Sequence, residues 1–380
     1  MEPRSSDAIV IGAGVVGLSA ARALGRAGAK VLVVERRRIG AEASSAAAGI
    51  VSPQMEATAN SPLLELALRA RDHLFALTPA LQEETGIDVD LGTRGLLELA
   101  FTEDEERALD ERLGWQRARG LPVEPLGPEE VREAEPNVNP AVRRALFLPR
   151  DRRIDNVRLT RALAASAVAR GASVLCGRPV TALLLEGGRV AGVRAGAETL
   201  RAPAVINAMG AWAALLSGDP QPPPVEPLRG HIVAFDLAPA LLRHVVCSPR
   251  GYLVPRSDGR TLAGSTVERA GFDKSVTAGS LRKVLDIALE LAPALADVPI
   301  AASWAGLRPG SADGLPMIGR GAVEGLFHGN GLFRNGILLG PLVGELVAEL
   351  AMGRPSAVDL SAFAPARFRS EDAMRERPSA

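Results

Sequence analysis

Near its N-terminus the chain reads Asp7-Ala8-Ile9-Val10-Ile11-Gly12-Ala13-Gly14-Val15-Val16-Gly17, and after one amphipathic helix it continues with Val31-Leu32-Val33-Val34-Glu35. This order of apolar strand, glycine-rich turn, helix, second strand and acid is typical of the βαβ unit that binds the ADP half of a dinucleotide. Three glycines alone would be weak evidence, because small residues also occur where a helix packs closely. The two strands, the helix and the acid together predict a dinucleotide site.

Each residue type in this unit has a physical role in binding a pyrophosphate. Gly12 allows a tight turn, Gly14 lets the backbone approach the phosphates, and Gly17 lets the helix pack closely on the strand. The helix predicted to begin at Val15 presents free N–H groups and a positive dipole end to the phosphates. Glu35 lies 35 − 12 = 23 positions after Gly12, near the spacing of about 20 residues at which an acid accepts the ribose hydroxyls.

Composition sets limits on the class of protein. The chain has 380 residues, of which 47% are apolar, and its formal net charge is zero. At about 150 residues per domain this length predicts two or three domains, and the apolar content excludes a disordered chain. The balanced charge argues against nucleic-acid binding and against a basic surface that docks on membranes.

The titratable residues show no metal or dithiol pattern. The two cysteines, Cys176 and Cys247, form no CxxC pair, and the four histidines show no ligand spacing. We therefore expect neither a redox dithiol nor a metal site. No signal peptide is visible, and the uncharged run 8–21 is shorter than the about 18 residues that span a bilayer. These patterns predict a cytoplasmic protein without a membrane segment.

The segment after Glu35 is built almost entirely from small residues between Gly40 and Gly49, and Ile50-Val51-Ser52-Pro53 follows it. Small residues let a backbone approach a large flat ligand, and Ser44 and Ser45 offer hydroxyl groups to it. The alternative is a flexible loop. We favour a ligand-binding segment, because it follows directly from the nucleotide unit.

Only one three-glycine motif of the correct spacing is present, since the second candidate at 329–336 is spaced differently. A flavin disulfide reductase would carry two such motifs and a cysteine pair. If the single site holds FAD, electrons must enter from a small substrate and leave to oxygen or a soluble acceptor. An NAD-dependent dehydrogenase and a non-catalytic flavin-binding module stay open as alternatives.

Two further stretches resemble the D-amino-acid-oxidase-like superfamily of flavoproteins. The run Gly40 to Pro53 is similar to the loop that embraces the flavin in that superfamily. Asn207-Ala208-Met209-Gly210-Ala211-Trp212 is similar to its second FAD motif.

The resemblance is closer to glycine oxidases of the thiamine-pathway type, and it covers essentially the whole chain. The blocks that carry it, in order and spacing, are Gly251-Tyr252-Leu253-Val254-Pro255-Arg256, Trp304-Ala305-Gly306-Leu307-Arg308-Pro309-Gly310, Asp313-Gly314-Leu315-Pro316 and Phe333-Arg334-Asn335-Gly336-Ile337-Leu338-Leu339. The second and fourth blocks together are much more specific than the three-glycine motif.

This resemblance implies an α/β fold (α+β overall) with a Rossmann-like FAD-binding domain that is discontinuous in sequence. We expect that domain over residues 1–80, 148–218 and 303–380. A strand-rich substrate domain over residues 81–147 and 219–302 is expected to cover the flavin. Strand patterns and glycine turns in three separated parts of the chain agree with this division.

The resemblance also implies non-covalent FAD, because no cysteine lies near residues 304–308, where sarcosine-oxidase relatives attach their flavin. The residues expected beside FAD are Gly12, Gly14, Val15, Val16, Gly17, Glu35, Arg36, Ser44, Ser45, Ala47, Ala48, Gly49, Val180, Ala208, Gly210, Trp212, Arg308, Arg334, Asn335, Gly336 and Ile337. A helix starting near Ile337 would point its N-terminus at the cofactor and stabilise the reduced, anionic flavin.

Arg334, Arg308 and Tyr252 are the residues that the resemblance assigns to catalysis. An arginine binds a carboxylate through two parallel hydrogen bonds, so both arginines suit a carboxylate clamp that aims the substrate Cα–H at flavin N5. Tyr252, the only tyrosine, would donate a further hydrogen bond. The alternatives are structural ion pairs for the arginines and a packing role for the tyrosine. No general base is needed if the amine binds unprotonated.

Two positions depart from glycine oxidases and leave the substrate open. Leu332 stands where a histidine often occurs, and Arg250 lies at the expected mouth of the pocket. Because both positions are expected near the substrate, they bear on its identity and leave the reaction type unchanged.

The predicted function is FAD-dependent oxidative deamination of glycine and small amino acids such as sarcosine and short D-amino acids, with imine hydrolysis and reoxidation by O2. One alternative is an oxidase of a bulkier N-substituted glycine in a biosynthetic pathway. Another is a D-amino-acid dehydrogenase with a non-oxygen acceptor. The expected partners are thus a small substrate and O2, and the sequence leaves homo-oligomer formation open.

Overall fold

A computed structural model describes residues 6–57 and 61–368. Within these residues the strands, in chain order, are β1 (Ala8–Ile11), β2 (Val31–Val34), β3 (Ile50–Val51), β4 (Leu96–Ala100), β5 (Glu124–Leu126), β6 (Arg144–Leu148), β7 (Arg152–Arg153), β8 (Ser173–Leu175), β9 (Val180–Glu186), β10 (Arg189–Ala195), β11 (Glu198–Arg201), β12 (Ala204–Asn207), β13 (Val225–Asp236), β14 (Val245–Ser248), β15 (Gly251–Pro255), β16 (Arg260–Gly264), β17 (Ile300–Ser311), β18 (Met317–Arg320) and β19 (Leu326–Asn330). The α-helices are α1 (Val15–Arg26), α2 (Ala43–Ala46), α3 (Pro53–Glu56), α4 (Pro62–Thr85), α5 (Glu103–Ala118), α6 (Pro128–Ala134), α7 (Asn156–Ala169), α8 (Ala278–Leu291) and α9 (Gly336–Ala351).

The N-terminal motif forms the centre of the first sheet. Strands β1 and β2 pair in parallel and are joined through α1, which begins at Val15 as predicted. This sheet has six strands in the order β18-β19-β12-β1-β2-β8, all parallel except β18. The strand–turn–helix–strand unit predicted from the sequence is therefore present.

Both faces of the six-stranded sheet are covered, which explains why β1 and β2 are continuous apolar runs. Helices α1, α4, α7 and α9 pack on the face that carries Val10 and Val33. The opposite face, with Ile9 and Leu32, packs against an antiparallel sheet of strands β11-β10-β9. The layered α/β architecture predicted from the sequence is confirmed.

The second large sheet has eight strands in the order β17-β13-β16-β15-β14-β4-β6-β5. Helices α6 and α8 pack on the face that carries Leu97 and Val233. The other face carries Tyr252 and packs against the small-residue segment at Ala48. This second face is therefore turned toward the nucleotide-binding unit.

The division into an FAD-binding domain (1–80, 148–218, 303–380) and a substrate domain (81–147, 219–302) stays a proposal. Strand β17 runs across the proposed limit at residue 303 and pairs along its length with β13. Among the helices of residues 6–57 and 61–368, none combines the length and apolar character required to cross a bilayer.

Candidate active site

A cavity of about 600 Å³ lies between the carboxyl ends of the first sheet and one face of the second sheet. This volume is within the range of about 300–1,000 Å³ that is usual for ligand pockets. In an open α/β sheet, ligands bind outside the carboxyl ends of the strands. The cavity therefore lies where the sequence predicts a cofactor.

The cavity brings together nearly all the residues predicted to contact FAD or substrate. They are Gly12, Gly14, Val15, Val16, Glu35, Arg36, Ser44, Ala47, Ala48, Gly49, Val180, Ala208, Gly210, Trp212, Tyr252, Arg308, Arg334, Asn335, Gly336 and Ile337. Two of the predicted residues, Gly17 and Ser45, do not line it. Gly17 instead packs α1 against Gly12, and the Ser45 carbonyl accepts a hydrogen bond from the Asn156 side chain at 3.1 Å.

The glycine-rich turn leaves the space that a pyrophosphate needs. Gly12 has φ +104°, and a Cβ there would lie 2.5 Å from the carbonyl oxygen of Ala208. A Cβ at Gly14 would lie 3.0 Å from Oγ of Ser44. That hydroxyl accepts from the Val15 N–H at 3.0 Å, at the start of α1. Because the helix N-terminus opens into the cavity, this turn fits the phosphates of FAD.

The small-residue segment is anchored, which resolves the alternative of a flexible loop. Asn156 Nδ2 donates to the carbonyl of Ser44 at 2.8 Å. Arg256 Nη2 donates to the carbonyl of Ala48 and to Asn156 Oδ1, both at 2.8 Å. Burial lowers the pKa of Arg256 to about 10, so this buried guanidinium stays protonated near pH 7. The segment is a fixed wall of the cavity.

Glu35 lies at the end of β2 beside the glycine turn and is 8% exposed. Its Oε2 accepts from the Ala13 N–H at 3.0 Å, and its Oε1 accepts from the Arg37 N–H at 2.8 Å. A carboxylate keeps further acceptor capacity when each oxygen holds one backbone N–H. Its position fits the predicted contact with the ribose hydroxyls.

We expect Glu35→Ala to weaken FAD binding by about 10- to 150-fold, the range for a lost hydrogen bond to a charged group. The dissociation constant of FAD, measured by quenching of flavin fluorescence on apoprotein, checks this. Glu35→Gln is the matched control: its amide oxygen can still accept from Ala13, so it separates the backbone contact from the loss of charge. An unchanged FAD affinity in Glu35→Ala would contradict the ribose role.

An aromatic and cationic cluster closes the nucleotide end of the cavity. The Arg36 guanidinium lies 3.5 Å from the centroid of the Trp212 ring. Phe272 stacks on the same ring with centroids 5.3 Å apart. Glu42 accepts from Arg36 and, at 2.9 Å, from Lys274. The loop that carries Phe272 and Lys274 is thereby attached to the predicted cofactor site.

At the opposite end, Arg308 and Tyr252 share the wall formed by the second sheet. A Cβ at Gly230 would lie 2.0 Å from Arg308 Nη1, and one at Gly264 would lie 2.7 Å from the Tyr252 hydroxyl. These two glycines therefore make room for the two polar groups. Arg308 donates to the carbonyl of Thr266 at 3.0 Å, and burial lowers its pKa from the ordinary value.

Arg334 also reaches this end of the cavity, and there it forms an ion pair that the sequence analysis missed. Oε1 of Glu56 accepts from Arg334 Nη2 at 3.0 Å and from Nε at 3.2 Å. Burial opposes the charge of Arg334, but the adjacent Glu56 carboxylate raises its pKa. One signal was available in the sequence: Glu56 is the only charged residue between Glu42 and Glu65.

Asn330 is a second residue of the cavity wall that sequence reasoning missed. Its buried side chain accepts from the Gly210 N–H at 3.2 Å and donates to the Asn207 carbonyl at 2.8 Å. It therefore joins the turn after β12 to the turn after β19. Its position between Gly329 and Gly331 could have indicated a close approach of the backbone.

The expectation that Arg250 lies at the pocket mouth is wrong. Arg250 pairs with Glu105 at 2.9 Å and with Glu290 at 2.6 Å and does not line the cavity. It joins the turn between β14 and β15 to helices α5 and α8 instead. Leu332, the other departure, does line the cavity and is 4% exposed.

Helix α9 begins at Gly336, one residue before the predicted start. Its first residues, Gly336 and Ile337, line the cavity with Asn335. The unpaired N–H groups and the positive dipole end of this 16-residue helix therefore open toward the cavity. They favour a negative charge on any group bound there.

Several known proteins resemble this chain over most of its length. Residues 7–350 match the family model described as DAO, FAD dependent oxidoreductase. A glycine oxidase of Pseudomonas aeruginosa is 37% identical, with 95% of this chain and 99% of the relative covered. The structure of glycine oxidase from Geobacillus kaustophilus superposes with a TM-score of 0.92 at 36% identity, covering 96% of this chain and 99% of that one. An iminodiacetate oxidase from Chelativorans has a TM-score of 0.88 at 29% identity, covering 94% and 98%.

The family match over residues 7–350 includes the glycine turn, the small-residue segment, Arg308 on β17 and Arg334 before α9. The predicted resemblance to glycine oxidases, the enzymatic nature of the protein and its use of FAD are confirmed. The chain belongs to the DAO family of FAD-dependent oxidoreductases.

Proposed function

We propose that this enzyme oxidises glycine and small amino acids such as sarcosine and short D-amino acids. The observation that carries the proposal is the placement of Arg308 and Tyr252 on the cavity wall, with Gly230 and Gly264 making room for them. A planar guanidinium beside a hydroxyl suits a carboxylate, which accepts several hydrogen bonds at once. Arg334 lies at the same end of the cavity, where it is paired with Glu56.

The role of the chain is then to hold and orient the substrate. Arg308 and Tyr252 would bind the carboxylate, so that Cα faces the side of the cavity where the small-residue segment and α9 meet. Fixing that geometry removes most of the entropic cost of bringing the reacting atoms together. FAD, when bound, would accept the Cα hydride, which carries one proton and two electrons, and O2 would take up those two electrons with two protons as hydrogen peroxide. Water hydrolyses the released imine to a 2-oxo acid and the free amine, which is ammonia from glycine and methylamine from sarcosine.

The residues of the cavity wall agree with non-covalent FAD. Among the described residues that line it, none is histidine or cysteine. An amine that arrives unprotonated has no proton to give up before oxidation. The N-terminus of α9 would stabilise negative charge on the reduced cofactor.

A second candidate is oxidation of a bulkier N-substituted glycine, which the similarity to an iminodiacetate oxidase favours. Such a substrate keeps the glycine carboxylate for Arg308 and Tyr252 and places an added group on nitrogen.

A D-amino-acid dehydrogenase with a non-oxygen acceptor would use the same clamp. It would differ from the oxidase only in the step that reoxidises the flavin.

Anaerobic bleaching of the bound flavin by a substrate panel tests these functions. We expect glycine or sarcosine to bleach the flavin absorbance faster than larger D-amino acids and N-alkyl glycines do. Readmission of air should then restore the yellow colour and produce hydrogen peroxide. Bleaching by larger N-substituted glycines alone would favour the second candidate, and slow recovery in air would favour a dehydrogenase. Flavin that none of these compounds bleaches would contradict amino-acid oxidation.

A further inference from the structure

Glu56 is a negatively charged residue on the cavity wall, and it has no role in binding the substrate carboxylate. It is the last residue of α3, and its Oε1 accepts from both Nη2 and Nε of Arg334. The side chains of Glu56 and Arg334 are 23% and 38% exposed, so the pair faces the cavity and is not buried in the core. The negative charge of Glu56 therefore lies among groups expected to attract a carboxylate.

The short helix that carries Glu56 is held from three directions. Arg112 donates to the carbonyl of Gln54 at 3.1 Å and also to that of Met55. Gln116 donates to the same Gln54 carbonyl at 2.9 Å. Asp151, fully buried, accepts from the Met55 N–H at 3.2 Å and from the Ser52 hydroxyl. Glu56 is thus held next to Arg334 by a packed support, in contrast to a surface acid on a free loop.

The charges at this end of the cavity determine whether it binds a substrate with one carboxylate or with two. A substrate with one carboxylate uses the charge of Arg308, and Glu56 already neutralises Arg334. A second carboxylate would need Arg334 as its partner, and it would meet the Glu56 carboxylate within contact distance. Like charges at such a distance repel strongly in a partly desolvated site.

We propose that Glu56 is a specificity-determining residue that restricts this enzyme to amino acids with a single carboxylate. It does so by occupying Arg334 and repelling a second anionic group. The inference rests on the proposed function, because it assumes that Arg308 holds the glycine carboxylate. Neutralising Glu56 should open the site to N-carboxymethyl glycines, whose second carboxylate would then pair with Arg334.

Binding of two non-oxidisable ethers tests this directly on the FAD-loaded enzyme. Methoxyacetate has the shape of sarcosine with one carboxylate, and diglycolate has the shape of iminodiacetate with two. By calorimetry we expect Glu56→Gln to bind diglycolate about 10- to 100-fold more tightly than the wild type, the range for one charge-assisted contact. Methoxyacetate affinity should stay within about threefold, because its single carboxylate keeps the same partner.

The control variant is Glu129→Gln, which removes one negative charge from an exposed position on α6 outside the cavity wall. It should change neither affinity. Equal gains for both ethers in Glu56→Gln would overturn the proposal, since they would indicate a general electrostatic effect. Glu56→Ala removes the hydrogen-bond acceptor altogether, so it tests the proposal even if the amide oxygen of Glu56→Gln keeps Arg334 occupied. An unchanged diglycolate affinity in Glu56→Ala would overturn the proposal as well.

Flavin reduction by sarcosine and by iminodiacetate provides the second measurement. In Glu56→Gln the ratio of kcat/KM for iminodiacetate to that for sarcosine should rise about tenfold or more. If the wild-type flavin is reduced by neither compound nor by glycine, the proposed function fails. The ether affinities then still decide the role of Glu56, because they do not depend on oxidation. Reduction by sarcosine with an unchanged ratio in the variant would overturn the role of Glu56 alone.

Discussion

Arg308→Met is expected to lower kcat/KM for glycine or sarcosine by about 100-fold or more while the protein still binds FAD. The physical reason is the loss of a partly buried, positively charged guanidinium on the cavity wall. Arg308 is held by the Thr266 carbonyl at 3.0 Å and by Oγ of Ser265 at 2.5 Å, so its orientation is set before a substrate arrives. Two charge-assisted hydrogen bonds of about 1.5–3 kcal/mol each are lost with it.

The measurement is steady-state oxygen consumption together with anaerobic flavin reduction. Arg308→Lys is the matched variant, because it keeps the positive charge but replaces the planar fork by a point charge. We expect intermediate activity for the lysine variant, mainly through a raised KM. Retained yellow colour and an unchanged thermal midpoint establish that the fold survives. An Arg308→Met enzyme with more than a tenth of wild-type kcat/KM would exclude this clamp.

What the sequence predicts well is local. The strand, turn, helix and acid between Asp7 and Glu35 lie within one unit, so their spacing alone predicts that they meet at one site, and the structure places the turn and the acid on the wall of one cavity. The same holds for α9, whose start was predicted to within one residue. The resemblance to known motifs predicted Tyr252 and Arg308. The pairing of β15 with β16 and of β17 with β13 then places both residues on one wall of the cavity.

What the sequence could not predict depends on long-range pairing. Glu56 and Arg334 are 278 positions apart. Glu56 stands out as the only charged residue between Glu42 and Glu65, but nothing near it in the sequence indicates Arg334 as its partner. Arg250 looked like a pocket residue because it precedes Gly251, yet its side chain leaves toward Glu105 and Glu290. The direction of the Arg250 side chain depends on where distant acidic residues lie. Their positions follow only from tertiary packing.

Gly17→Ala should have a large effect on cofactor retention. A Cβ at Gly17 would lie 2.0 Å from the Gly12 carbonyl oxygen and 3.2 Å from Cγ1 of Val10. The contact with Gly12 is with backbone, so no side-chain rotation relieves it. Either α1 moves away from β1 or the glycine turn shifts, and both displace the N–H groups that would hold the pyrophosphate.

Helix propensity acts in the opposite direction and is too small to compensate. Replacing a helical glycine by alanine contributes up to about 1 kcal/mol of stability, whereas overpacking a tight contact costs about 1–3 kcal/mol and more against backbone. Gly114→Ala in α5 isolates the favourable part, since a Cβ there meets nothing within 4 Å. We expect Gly114→Ala to keep FAD and hold or raise the thermal midpoint.

Gly17→Ala, by contrast, should purify largely without flavin absorbance and unfold at a lower temperature. Titration with excess FAD separates lost affinity from lost folding: a folded variant that turns yellow only at high FAD concentration locates the damage in the turn. If Gly17→Ala retains stoichiometric FAD and the wild-type midpoint, close approach of α1 to β1 is not required for binding. The Gly17 position would then tolerate a side chain, and the role assigned to the third glycine of the motif would be wrong.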